Sequence, residues 1–160
     1  MRRRISVETR SERTSGSVLE GVLESAPELA PDCPLVLVVD DYEDTRELLA
    51  FALRRKGLRV VCAVDGFSAL DIAERCAPQA IVMDIAMPGL DGIETTRRMR
   101  RQPALESVPI VALSGHALPR YIEGAKAAGC DSFLAKPCPV DDVARELTRL
   151  LALQAARRAY

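Results

Sequence analysis

A chain of 160 residues, 48% hydrophobic and 28% charged, is expected to form one globular domain with some excess and no second core. Its formal net charge of −1, from 22 basic and 23 acidic residues, gives no electrostatic case for nucleic acid or a membrane surface as partner. The five cysteines (Cys33, Cys62, Cys76, Cys130, Cys138) are odd in number and form no CxxC, so they read as reduced thiols of a cytoplasmic protein. Met1–Arg4 is basic, but the residues after it are polar, so neither an export signal nor a membrane span is expected. Residues 1–33 hold a short amphipathic stretch at Val18–Leu23 and two prolines, with a third at Pro34, and they read as a mobile N-terminal extension.

From Leu35 the pattern becomes regular. The unbroken apolar run 35–39 suits a central strand covered on both faces. A helix is expected to start at Asp44, with Glu47 completing a capping box, and to place Leu48, Phe51 and Ala52 inward before Gly57 ends it. The strand–helix alternation then repeats. Strand 58–64 precedes a helix from Phe67 to Cys76 with Leu70, Ala73 and Cys76 inward. Strand 80–84 leads through a Pro-Gly loop to a helix from Gly92 to Arg100, and strand 108–114 to a helix from Pro119 to Ala128. Strand 132–135 is followed by a helix with Val140, Val143, Leu147, Leu150 and Leu151 on one stripe, complete by about Leu153. Five such units predict an α/β fold, a doubly wound five-stranded parallel sheet of flavodoxin-like (βα)5 type spanning residues 34–156, with 157–160 as a tail.

In such a sheet, ligands bind beyond the carboxyl ends of the strands. Four strands end on chemistry there: Asp40 and Asp41, Asp84, Ser114 and Lys136. Carboxylates crowded together repel one another unless a cation neutralises them. Oxygen-seeking Mg²⁺ suits such a set. With that charge offset, Asp84 can act as an ionised nucleophile towards phosphorus, Lys136 can balance the transferring group, and Ser114 can donate a hydrogen bond to it. Any one of these residues alone is ordinary: an Asp pair after a strand is commonly a capping turn. Their joint placement is what makes them a candidate site.

The stretches VLVVDDYEDTRELL, VMDIAMPGLDGIE, ALSGHA and GCDSFLAKP, in that order and at those separations, resemble the receiver domain of two-component response regulators. The likeness covers Leu35 to about Leu153. It implies that Asp84 accepts phosphate from a histidine kinase, that Asp41, Asp84 and the backbone carbonyl of Ala86 bind Mg²⁺, and that Asp40 assists through a metal-bound water. It further implies that Ser114 and Lys136 contact the phosphoryl group, that Phe133 is an aromatic switch residue, and that Lys136–Pro137 is a cis peptide. Ala86 and His116, each two residues beyond a site residue, are expected to tune dephosphorylation. A receiver of this kind is a phosphoacceptor switch that assists its own phosphorylation and dephosphorylation. With no effector domain expected, its output is protein binding through the fourth helix, fifth strand and fifth helix, where Tyr121 and Ile122 lie.

Three other readings carry less weight. A phosphorelay intermediate passing phosphate to a histidine phosphotransfer protein has the same residues. A haloacid-dehalogenase-type phosphatase also uses a strand-end Asp, but needs a second Asp two residues on, where Ala86 stands. A degenerate receiver acting as a scaffold would lack phosphorylation residues, and here all are present.

Overall fold

The computed structural model describes residues 33–116 and 118–159. The extension expected at 1–33, with its Val18–Leu23 stretch, lies outside them except for Cys33. The described chain alternates β1 (Leu35–Val39), α1 (Glu43–Arg55), β2 (Arg59–Ala63), α2 (Gly66–Cys76), β3 (Ala80–Asp84), α3 (Gly92–Arg100), β4 (Ile110–Ser114), α4 (Pro119–Ala128), β5 (Ser132–Ala135) and α5 (Val140–Arg158). All strands are parallel, in the order β2-β1-β3-β4-β5. β1, β3 and β4 are buried at every position, because helices cover both faces, and this is why their sequences are unbroken apolar runs.

Alternate strand residues feed two cores. Leu37, Val39, Ile81, Met83, Ile110 and Ala112 pack against Ala69 and Ala73 of α2, Met99 of α3 and Ala125 of α4. Val36, Val38, Val82, Val111 and Leu113 face the other way, onto Leu49 and Leu53 of α1 and Val143, Leu147 and Leu150 of α5. The register aligns the ends that matter: Asp84 lies beside Leu113 and Ser114 beside Ala135.

The first helix departs from expectation. It begins at Glu43 with no side-chain cap at Tyr42, and Leu48 and Phe51, expected inward, are 60% and 61% exposed. The buried residues are Leu49, Ala50 and Leu53. Residues 48–53 are apolar without a break, so periodicity alone could not choose the face. The turn fixes the rotation instead: Asp40 Oδ1 accepts the Tyr42 N–H at 2.9 Å, where a capping box at Asp44 had been expected. Phe51 lies outside beneath the Arg55 guanidinium, 5.8 Å from the ring centroid.

Elsewhere the elements fall close to where they were expected. α2 carries a capping box at Asp65, whose Oδ1 accepts the Ser68 N–H at 2.7 Å. Ala69 and Ala73 are its buried contacts, with Leu70 and Cys76 partly buried beside them. β2 and β4 are shorter than expected, since Leu58, Val64, Val108 and Pro109 fall outside the ladder. α5 continues to Arg158, so a domain boundary at 156 falls inside a helix. Among the described residues no helix is long and apolar enough to cross a membrane.

Candidate functional site

The carboxyl ends of β1, β3, β4 and β5 converge. Asp40, the residue after β1, is 1% exposed, and Asp84, the last residue of β3, is 5% exposed. One carboxylate oxygen from each of Asp40, Asp41 and Asp84 lies within 4.8 Å of the other two, with Asp41 exposed to solvent. Lys136 reaches in from the end of β5: its Nζ donates to Asp40 Oδ2 at 2.7 Å and pairs with Asp84 Oδ2 at 3.2 Å. The Lys136 backbone N–H donates to the Ser114 carbonyl at 2.8 Å, which locks the ends of β4 and β5 together, and Lys136–Pro137 is cis.

The second oxygen of each buried carboxylate is held by the backbone. Asp40 Oδ1 accepts from Tyr42 N–H and Asp84 Oδ1 from Ala86 N–H at 3.2 Å. The Asp40 carbonyl accepts from Arg46 Nη1 at 2.9 Å. Ser114 is buried, with its Oγ accepting the His116 N–H at 3.0 Å and lying 3.3 Å from the His116 carbonyl, to which it donates. These bonds fix where each oxygen points before any ligand arrives.

Burial pushes the Asp84 carboxyl above the usual carboxylate range, and Asp40 adds to the rise, while Lys136 and the Ala86 N–H oppose it. At Lys136 burial works to lower the pKa, but the Asp40 hydrogen bond and the Asp84 and Asp40 charges outweigh it and leave it raised. One ammonium therefore faces three carboxylates. A hard divalent cation with oxygen ligands fits this donor set, and neither nitrogen nor sulfur ligands are among it.

Of the five strand-end residues expected, Asp40, Asp41, Asp84 and Lys136 are brought together, and Ser114 ends the strand beside β5, its carbonyl accepting the Lys136 N–H. Ala86 and His116 are exposed at the rim, and the His116 ring lies 5.5 Å from the Tyr121 ring. Phe133 is half-buried on β5, packed against the core shared by α2, α3 and α4. The sequence reading missed Gly92. A Cβ there would collide with the Asp84 backbone carbonyl oxygen, so the glycine lets the β3–α3 loop fold back behind the acceptor, where the Gly92 N–H donates to the Ile85 carbonyl at 3.1 Å. Its signal was the Asp91-Gly92 pair at the helix start, where Asp91 caps the Glu94 N–H at 2.8 Å.

Residues 36–148 match the model of the response regulator receiver domain. The chain belongs to this family. A 14.6 kDa protein of Leptolyngbya boryana is 40% identical to the receiver over 116 residues, covering 72% of this chain and 86% of that one. The transcriptional regulatory protein PrrA of Mycobacterium tuberculosis is 37% identical over 118 residues; the match covers 74% of this chain and spans about half of PrrA's length (50%). Among solved structures, the chemotaxis protein CheY4 of Vibrio cholerae superposes with a TM-score of 0.71 at 30% identity, covering 74% of this receiver and 98% of that chain. The receiver domain of the sensor histidine kinase PA1611 from Pseudomonas aeruginosa, with a magnesium ion coordinated in its active-site cleft, gives 0.71 at 36% identity, covering 75% and 98%. Receivers are phosphoacceptor switches of two-component systems, bind Mg²⁺ in the active site and interact with histidine kinases. That membership sets aside the phosphatase reading and does not favour the phosphorelay one.

Proposed function

We propose that Asp84 takes the phosphoryl group from a phosphohistidine of a histidine kinase. An Asp84 carboxylate oxygen forms the new O–P bond as the N–P bond breaks, and the electron pair of that bond returns to the imidazole. The observation that carries this reading is the convergence of Asp40, Asp41, Asp84 and Lys136, buried and exposed oxygens together, at one point of the sheet edge. Asp41, Asp84 and the Ala86 carbonyl would hold Mg²⁺, with Asp40 acting through a bound water; the ion supplies charge neutralisation for the transferred group. Lys136 offsets the phosphoryl charge, and Ser114 exchanges its bond to the His116 carbonyl for one to a phosphoryl oxygen. In this way the domain assists its own phosphorylation and dephosphorylation.

Phosphorylated Asp84 draws on Ser114, which shifts the half-buried Phe133 and the α4–β5–α5 face carrying Tyr121 and Ile122, and a downstream protein binds there. A full reversal of such an equilibrium takes about 5.5 kcal/mol of differential stabilisation. Ala86 has no group to position water, so His116, beside Ser114 at the rim, shades the acceptor and sets how long the phosphoryl group persists. The five free thiols and the histidine-kinase donor support a cytoplasmic setting. Neither nucleic acid nor membrane is proposed as a partner.

The test is incubation with acetyl phosphate or a cognate kinase in Mg²⁺, followed by peptide mapping. Hydroxylamine-sensitive label is expected on the Asp84 peptide and should vanish in Asp84→Asn. Label at the wild-type level in that variant would refute the assignment.

A further inference from the structure

The two ends of α4 are built differently. The Pro119–Glu123 end contributes no buried residue, has no side-chain cap at Leu118, and follows the Ser114–His116 hydrogen bonds in the chain. The other end holds both buried residues, Ala125 and Ala128, and runs into a clasp made by Arg100 at the end of α3.

Arg100 is mostly buried, its side chain 18% exposed, and all of its guanidinium donors are in use. Nε and Nη2 donate to the Gly129 carbonyl at 3.0 and 2.8 Å. Nη1 donates to the Leu105 and Val108 carbonyls, each at 2.8 Å. Nη2 also donates to Asp131 Oδ2 at 3.0 Å, and that oxygen accepts the Ile110 N–H at 2.8 Å. One planar group thus joins the C-terminus of α4, the entry to β5, the start of β4 and the α3–β4 loop. Gly129 makes room for it: its φ of +105° favours glycine, and a Cβ there would lie 2.9 Å from Arg100 Cγ. Thr96 Oγ1 and Cys130 Sγ, 3.7 Å apart, add a second tie between α3 and the same turn.

We infer that α4 answers phosphorylation as a lever pinned at its C-terminal end by the Arg100–Asp131 clasp. A rearrangement at Ser114 swings the Pro119–Glu123 end, and the Lys126–Asp131 end stays in register with β4 and α3. The clasp thereby directs a change at the phosphoryl site to the Tyr121 and Ile122 side of α4. Arg100 is a positioning residue here, well away from the reacting atoms. The inference rests on Asp84 being the phosphoacceptor.

Hydrogen exchange of the full chain, with and without Mg²⁺ and beryllofluoride as the phosphoryl mimic, tests it, with bound beryllofluoride followed separately by fluorine NMR. In the wild type, amide exchange over 119–123 should change severalfold while that over 125–131 stays constant. Arg100→Lys keeps the charge but loses the fork, and should let the change spread to 125–131; Asp131→Asn serves the same purpose if Arg100→Lys folds poorly. Equal changes at both ends of wild-type α4, or a wild-type pattern in a folded clasp variant, would overturn the pinned lever alone. No bound beryllofluoride would overturn the phosphoacceptor reading and this inference with it.

Discussion

The two edges of the same sheet hold charge in opposite ways. At the amino-terminal edge, Arg100 faces one carboxylate and three carbonyls, and every donor finds an acceptor. At the carboxyl-terminal edge, three carboxylates face the single ammonium of Lys136, and burial has already pushed Asp84 upward. The first arrangement is complete as it stands. The second is left with an excess of negative charge that a further cation would offset, and this imbalance separates a ligand site from a structural ion pair with no appeal to position in the chain.

Breaking the balanced edge should have the largest effect on folding. Arg100→Met leaves Asp131 and the carbonyls of Leu105, Val108 and Gly129 without their donor, and is expected to cost roughly 2–3 kcal/mol in urea denaturation. Loss of less than about 0.5 kcal/mol would mean that solvent satisfies these groups equally well.

The unbalanced edge should respond with the opposite sign. Asp84→Asn removes a buried charge that nothing fully offsets, so the metal-free protein is expected to gain about 1 kcal/mol while losing phosphorylation. A destabilised variant would show that the Lys136 pair outweighs burial. His116→Ala, at the rim, should leave stability within about 0.5 kcal/mol and accelerate loss of phosphate from Asp84, measured after donor removal in excess Mg²⁺. Equal decay rates would reduce His116 to a loop residue.

The smallest effect belongs to a surface pair, an exposed Arg149 on a half-buried Glu146, that sharpens the contrast. Arg149 holds the Glu146 carboxyl down to about 2 through hydrogen bonds of 2.9 and 2.6 Å. A depressed carboxyl contributes stability above its unfolded pKa and loses it as pH falls through the folded value, here between 4.5 and about 2. Solvent screening keeps this small. Glu146→Gln should therefore lower stability slightly at neutral pH, flatten the acid limb of the profile and leave the most acid end unaltered in urea denaturation.

The strand ends of β1, β3 and β4 were readable because burial on both faces makes each an apolar run, and the first polar residue marks the edge; β5 is a half-buried edge strand read from its short SFLA run. Asp40, Asp41, Asp84, Ser114 and Lys136 are therefore legible as strand-end residues in the sequence itself. The face of α1 was not readable, since six consecutive apolar residues fit several rotations and the Asp40–Tyr42 turn chooses among them. Arg100 was equally silent. Apart from Asp131, its partners are backbone carbonyls brought from two separate loops, and carbonyls carry no sequence signature.

Magnesium binding to the metal-free protein puts the carboxyl-terminal edge to the test most directly, by calorimetric titration with melting curves recorded in parallel. One saturable site should appear in the wild type and raise the melting temperature. It should persist in Arg100→Lys and weaken by more than about tenfold in Asp41→Ala. No saturable binding, or an affinity unchanged by Asp41→Ala, would contradict the assignment of a divalent-cation site to this edge.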